Sequence, residues 1–396
     1  MSAGRTATWL AVTFASALPL RTGLVRAIPV EQSIATTLTS STGSEPGRWR
    51  LPTTLDLAWQ ARLQGSVTYP PAVSTAGELV VASSGGLSQL AASGNLAWSY
   101  RVRGASVAAR PVILPSGHRI LITSRSELFV LDPRGQLTAR SIVAVPAGSQ
   151  LVGPIGTPES TIALAFGSSV LLLDVNGKAL ATTAASGPVS NLTVFHEQVW
   201  VTTREGHVER WIPGVGMQRA GELGGTPSAI EFELPTRLIG IVDQSRLIEL
   251  DLTSGRRRVL ADDDTVTFSG QPMVDRAAGT VLATTAEGLM ISYDSTGTET
   301  RRVLLSPVAS TKAPVTGSTQ ISVGARGSVL FVLPTGELGV VQADGSVSRA
   351  RATACPAPVA VVSTGTDRLA VACGSGLIMG YRAKSESPEG TGELAP

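Results

Sequence analysis

A proline stands ahead of a short apolar run at eight places, Pro71, Pro111, Pro154, Pro188, Pro227, Pro272, Pro314 and Pro358, spaced 34 to 45 residues apart. That period is the length of one propeller blade, and it restricts the chain to a closed array of similar units. The prolines fit such an array physically. The innermost strand of a blade has one unpaired edge, so a missing N–H at its start costs little.

Within each period a second apolar run follows, as in Glu78-Leu-Val-Val-Ala82, Arg119-Ile-Leu-Ile-Thr123, Gln198-Val-Trp-Val-Thr202 and Arg368-Leu-Ala-Val-Ala372. Such runs read as half-buried or buried strands. A glycine turn leads to a third strand, and a turn centred on Asp or Gly leads to a fourth, as in Asp132-Pro-Arg-Gly135 and Asp294-Ser-Thr-Gly297. Glycine supplies the positive φ those hairpins need. Four antiparallel strands per period, without a helical segment, predict an all-β fold: a single eight-bladed β-propeller.

The eighth period runs out after its third strand, Leu377 to Arg382. The segment Leu57-Ala-Trp59-Gln-Ala-Arg62 repeats as Leu96-Ala-Trp98-Ser-Tyr-Arg101, the fourth strand of blade 1. Leu55 to Leu63 is therefore expected to supply the missing outer strand, joining the two ends of the chain and removing an open edge.

The order of apolar-Pro, strand, glycine turn, strand and Gly-x-x-x-Trp from Pro71 to Trp98 resembles the pyrroloquinoline-quinone-like repeat. That repeat is shared by quinoprotein dehydrogenases and by non-enzymatic propellers such as the outer-membrane assembly propeller family. The resemblance runs through nearly all of the folded body and is sharpest in blade 1 and the Trp59 strand. For the dehydrogenases it implies a bound Ca²⁺, a catalytic Asp and two adjacent cysteines over the cofactor. Here the two cysteines, Cys355 and Cys373, are not adjacent, and only Asn95, Asn176 and Asn191 offer amide oxygens of the asparagine type. The expected branch is the binding one, with no cofactor.

The formal net charge is +2, and the first 27 residues hold Arg5, Arg21 and Arg26 but no acid, so the remainder carries −1. A near-neutral body lacks the basic footprint of a nucleic-acid binder. Met1 to Arg5 followed by the apolar stretch Trp9 to Leu20 has the form of a secretory leader, and it is too short to span a membrane. Residues 1–27 are expected to be a signal peptide, 28–54 a flexible spacer rich in Ser, Thr and Gly, 55–383 the propeller, and 384–396 a disordered tail. The chain is then exported to the periplasm or beyond. It is not lipid-anchored through a leader cysteine, since the first cysteine is Cys355.

If the strands around Thr364 form a hairpin, Cys355 and Cys373 face each other across it, and in an oxidising compartment they bond. His118, His196 and His207 lie apart, without ligand spacing. Asp262-Asp263-Asp264 lacks the alternating pattern of a Ca²⁺ loop and reads as a solvated connection. Asn191-Leu-Thr193 is a sequon in form only. The turns joining second to third strands share one face with the connections between blades, and that face should carry Arg125, Arg204, Glu205, Asp243, Arg246 and Glu287. This mixed charge is the expected surface for a protein partner, with Arg125 and Arg204 as anchors because arginine is enriched at interface hot spots. The expectation is an exported, monomeric, non-enzymatic scaffold or recognition module of the cell envelope. The alternatives are a quinone-dependent dehydrogenase and a structural surface component.

Overall fold

The structure, a computed structural model, describes residues 55–146, 149–233, 236–276, 278–305, 320–323, 328–333, 335–350, 355, 358–365 and 368–383. The expected leader, spacer and tail, and Pro314, lie outside these residues. The strands form eight four-stranded antiparallel sheets, and no helix occurs among the described residues.

Blade 1 runs outward through Ala72–Val73, Leu79–Ser83, Gly86–Leu90 and Leu96–Arg101. The inner strands of blades 2 to 8 are Val112–Ile113, Leu151–Gly156, Val189–Phe195, Pro227–Glu233, Phe268–Asp275, Gln320–Val323 and Pro358–Gly365. Each inner strand touches that of the next blade, and the inner strand of blade 8 touches that of blade 1, so the array closes into a ring. The outer strand of blade 8 is Leu55–Arg62, paired antiparallel with Leu377–Ala383 from Leu55 opposite Ala383 to Arg62 opposite Leu377. The two ends of the folded body thus share one sheet.

There is no single core. Eight clusters of buried side chains occur, one at each seam between neighbouring blades. In blade 5, Ile239 and Ile241 pack toward Val281 and Ala283 of blade 6, whereas Leu238 and Val242 pack toward Trp200 and Val208 of blade 4. Both faces of the sheet are buried, which is why second strands such as Leu79–Ser83 are buried at every position and read as unbroken apolar runs. Outer strands alternate because one edge meets solvent; Leu96–Arg101 is exposed at four of its six positions.

The turns between third and fourth strands are built by aspartate. Oδ1 of Asp132 accepts hydrogen bonds from the N–H groups of Arg134 and Gln136, and Oδ1 of Asp174 and Asp294 do the same two and four residues on. Blade-to-blade locks use these turns. The Trp98 ring from blade 1 lies over Gly135 of blade 2, where a Cβ would fall 2.4 Å from the indole, and its Nε1 donates to Pro133 O at 3.1 Å. Trp59 repeats the arrangement from blade 8 on Gly94, donating to Ala92 O at 3.1 Å.

Two details depart from the sequence reading. Pro227 and Pro358 do open their strands, but Pro154 and Pro272 lie inside theirs, at register shifts between Val152 and Ile155 and between Ser269 and Met273. A bulge leaves a residue unpaired, so a missing N–H is tolerated there as well as at a strand start. The hairpin of blade 8 is also not centred on Thr364, because its ladder pairs Pro358 with Cys373 and shifts register twice. Cys355 therefore precedes the strand and reaches Cys373 from the incoming connection, with the two Cα atoms 5.4 Å apart and the disulfide formed.

Candidate functional site

One face of the ring gathers the turns between second and third strands and the connections between blades, and these are tied together in pairs. The Ser84 N–H donates to Ser66 O at 2.8 Å while Ser84 Oγ accepts from the Ser66 N–H at 3.1 Å. Ser124 and Ser106 make the same reciprocal clasp, and Asp243 and Thr226 make it with a carboxylate oxygen as the acceptor. In blade 4 the Arg204 N–H donates to Pro188 O at 2.8 Å. Proline has no N–H to satisfy, so arginine can stand where the others need a side-chain acceptor. The loops of this face are thereby held as a fixed platform.

The six charged residues stand in or next to the turns between second and third strands of blades 2, 4, 5 and 6. Arg125 is exposed and lies over Gly104, where a Cβ would fall 3.4 Å from its Nη1. Arg204 Nη2 donates to Gln150 Oε1 at 2.8 Å, and the Glu205 carboxylate covers Gly187. Glu287 is exposed. Asp243 and Arg246 are spent on the platform itself. They form an ion pair, Arg246 also donates to Gly224 O at 3.1 Å, and Asp243 sits at φ 50 in the turn. The charges therefore do not form an even ring around the axis.

The inner strands carry polar groups that the repeat pattern does not single out. Glu231 of blade 5 is half-buried, and its Oε2 accepts from the Gln271 amide of blade 6 at 2.7 Å. The same amide nitrogen donates to Ile230 O at 3.0 Å, which stitches two inner strands together. Burial pushes the Glu231 carboxyl up to about 8, opposed by the Gln271 hydrogen bond and the Arg276 charge. Arg110, at the entry to blade 2, is brought down to about 10 by burial. A carboxylate inside an inner strand was the available signal: Ala229-Ile-Glu231-Phe-Glu233 places two acids in a strand whose blade 4 counterpart, Val189–Phe195, has none.

Glu233 begins a chain of charge across blade 5. Arg237 reaches Glu233 at 3.1 Å and Glu249 at 2.6 Å, and Arg258 reaches Glu249 at 2.9 Å, so each of the four strands contributes one member. Burial raises the Glu233 carboxyl against the nearby Arg237 charge. Its linear arrangement, with each acid held by an arginine, is that of a brace across the sheet.

The three histidines remain apart. His118 Nδ1 bonds Ser116 Oγ at 3.0 Å, His207 Nδ1 bonds Ser186 Oγ at 2.8 Å, and His196 forms a turn at φ 49. No group of three His, Cys, Asp or Glu side chains is placed to hold a metal ion among the described residues. In the same residues no helix is long and apolar enough to cross a membrane.

The repeat, the ring closure and the tryptophan locks define an eight-bladed β-propeller. Residues 52–218, from the closing strand through blade 4, match the sequence profile of the outer membrane protein assembly factor BamB. No curated protein matches the chain by sequence. Among solved structures, BamB from Moraxella catarrhalis superposes with a TM-score of 0.64 at 16% identity, covering 84% of this chain and 99% of that one. The computationally designed Ika8 protein gives 0.63 at 14% identity over 81% of this chain and 97% of that one. A streptogramin B lyase gives 0.53 at 13% identity over 84% and 98%. An assembly factor, a designed protein and a lyase on one fold leave function to be argued from the site.

Proposed function

We propose that this chain is a non-enzymatic, protein-binding propeller of the bacterial cell envelope, exported and bearing its partner on the clasped face. The observation that carries this reading is the platform itself. Reciprocal backbone clasps fix the loops of one face, while exposed Arg125, Glu205 and Glu287 project from them. Preorganised loops reduce the entropy lost on association, which suits a face that docks another protein. The match of residues 52–218 to an assembly factor supports the same reading, and the Cys355–Cys373 disulfide supports export, because structural disulfides persist in oxidising compartments.

The test is crosslinking of the tagged chain in cells, followed by mass spectrometry of the envelope fraction with the disulfide state read from the same sample. One stoichiometric partner together with bonded cysteines is the expected result. Residence in the cytosol with free thiols would remove the envelope assignment. Dye reduction dependent on pyrroloquinoline quinone, Ca²⁺ and an alcohol would replace the binding role with the dehydrogenase.

A further inference from the structure

The charge of the clasped face is divided by sector. In the described connections and turns of this face from blade 8 through blade 2 (residues 63–71, 84–85, 102–111, 124–126, 143–146, 149–150 and 374–376) there is no Asp or Glu. In the flanking strands, Glu127 is 9% exposed and held by Arg140 in an ion pair, and the Glu209 carboxylate of blade 4 accepts the Ser186 N–H at 3.2 Å beyond the far boundary. The opposite sector, over blades 4 to 6, holds Glu205, Asp243, Asp262, Asp263, Asp264 and Glu287.

Four exposed arginines stand in or beside this acid-free sector, Arg62, Arg101, Arg103 and Arg125, and a fifth, Arg110, is half-buried at the entry to blade 2. Arg62 ends the closing strand of blade 8 and Arg101 ends the outer strand of blade 1. Their positions form one strip. Arg101 Nη2 donates to Gln64 Oε1 at 2.5 Å, two residues after Arg62, while Arg125 lies over Gly104, the neighbour of Arg103. None of the four is in an ion pair among the described residues.

An apolar group stands at the end of the strip. Ile142 is 78% exposed, pairs across the sheet with Glu127, and is followed by Val143, whose N–H donates to Ser126 O at 2.8 Å. It therefore sits beside the Arg125 turn.

We propose that this strip, Arg62–Arg101–Arg103–Arg125 with Ile142, is the docking surface for an acidic segment of a partner protein that also carries an aliphatic side chain. The proposal rests on the protein-binding role and specifies the chemistry of its partner. Unpaired guanidinium groups fit carboxylates bidentately and are less costly to desolvate than ammonium groups. Ile142 distinguishes the strip from a phosphate-binding track, because a polyphosphate backbone has nothing to place against an exposed aliphatic residue, whereas a peptide does. The acidic sector across the face repels the same segment and fixes where it lands.

The test uses the folded chain and a fluorescein-labelled peptide of glutamates interrupted by leucines, followed by fluorescence anisotropy. Replacing Arg101, Arg103 and Arg125 together by Glu is expected to weaken binding by more than about tenfold, and raising salt should weaken the unaltered chain. The matched control is Arg134→Glu, Lys178→Glu and Arg256→Glu, three exposed cations in the turns of the other face, and it should bind as the unaltered chain does. Ile142→Ser should reduce affinity for this peptide but not for an all-glutamate one. Unchanged melting temperatures separate these effects from misfolding.

No binding of the peptide, an equal loss in the control, or tighter binding of duplex DNA or phosphatidylglycerol vesicles would overturn the assignment. A cellular partner that still crosslinks to the triple Arg→Glu variant would sink this strip while leaving the protein-binding role intact. Peptide binding without any cellular partner would remove the protein-binding role and, with it, the strip's assignment as a partner's docking surface.

Discussion

The seam between blades 8 and 1 and the seam between blades 6 and 7 solve the same problem with different side chains. At the first, Trp59 lays its ring over Gly94 and donates from Nε1 to Ala92 O, the second residue of the turn in the next blade. At the second, the equivalent position is Arg301, whose Nη1 donates to Ala343 O at 3.3 Å and to Gln342 O at 3.1 Å. Ala343 holds the same place in its turn as Ala92, and Gly345 stands where Gly94 does. The hydrogen bond to the turn has been kept while the ring has been lost. At three seams, 8–1, 1–2 and 6–7, an outer-strand side chain thus satisfies a carbonyl at the blade edge, tryptophan at two of them and arginine at the third.

Blade 8 is also where both chain ends meet, so its fastening should matter most. Replacing Cys355 and Cys373 together by Ser is expected to cost about 3 kcal/mol for a loop closed over 18 residues, read as a shift in urea midpoint. Trp59→Ala should follow closely at about 2 to 3 kcal/mol, since the ring is half-buried and its loss exposes the cluster shared by Ala61, Leu63 and Ile378. An effect no larger than that of Arg301→Ala would erase the distinction between the seams. Gly94→Ala is expected to cost about 1 to 2 kcal/mol, because φ there is 84 and the new methyl meets the indole at 2.3 Å. Combined with Trp59→Ala, the second change should cost less than alone, and strict additivity would break the link between ring and glycine.

The Arg301 seam makes a smaller prediction in the opposite direction. Arg301→Ala should destabilise by no more than about 1 kcal/mol, a part-buried hydrogen bond to a turn carbonyl. Arg301→Trp should be tolerated or stabilising, since Gly345 leaves room for a ring: only Arg301 Cδ, at 3.7 Å, comes near a Cβ placed there. Loss of folding in that variant would show that the two seams differ in more than one side chain.

A pH-dependent effect lies at the axis. Glu231 holds its proton up to about 8 in the folded chain and only to the ordinary 4.5 when unfolded. Between those values the native state binds more protons, so this residue makes stability fall as pH rises through that window. Glu231→Gln should flatten the dependence of the urea midpoint between about pH 5 and about pH 8. A slope unchanged by the substitution would assign it to Glu233, the other carboxyl raised by burial.

The clasped face was partly legible. Counting strands from each proline is enough to put Arg125, Arg204, Glu205, Asp243, Arg246 and Glu287 on one side, because antiparallel alternation sends every turn of one kind to the same face. Which of them stay available is decided by the side chains and loops that the fold brings against them. Asp243 is tied to Thr226 and Arg246, while Arg62 and Arg125, in different blades, belong to one strip.

The sequence by itself determined the number of blades, the strand order within them and the closing role of Leu55 to Arg62, because a local period and a repeated Leu-Ala-Trp motif are written along the chain. It also marked Cys355 and Cys373 as partners. Only the tertiary structure decided how they meet, since two register shifts in one hairpin displace every partner beyond them, and bulges leave no regular trace in residue order. The same holds for the charge pattern. A ring brings blade 8 beside blade 1 and sets blades 1 and 2 across from blades 5 and 6, so the sorting of arginines from carboxylates exists only once the ring is closed.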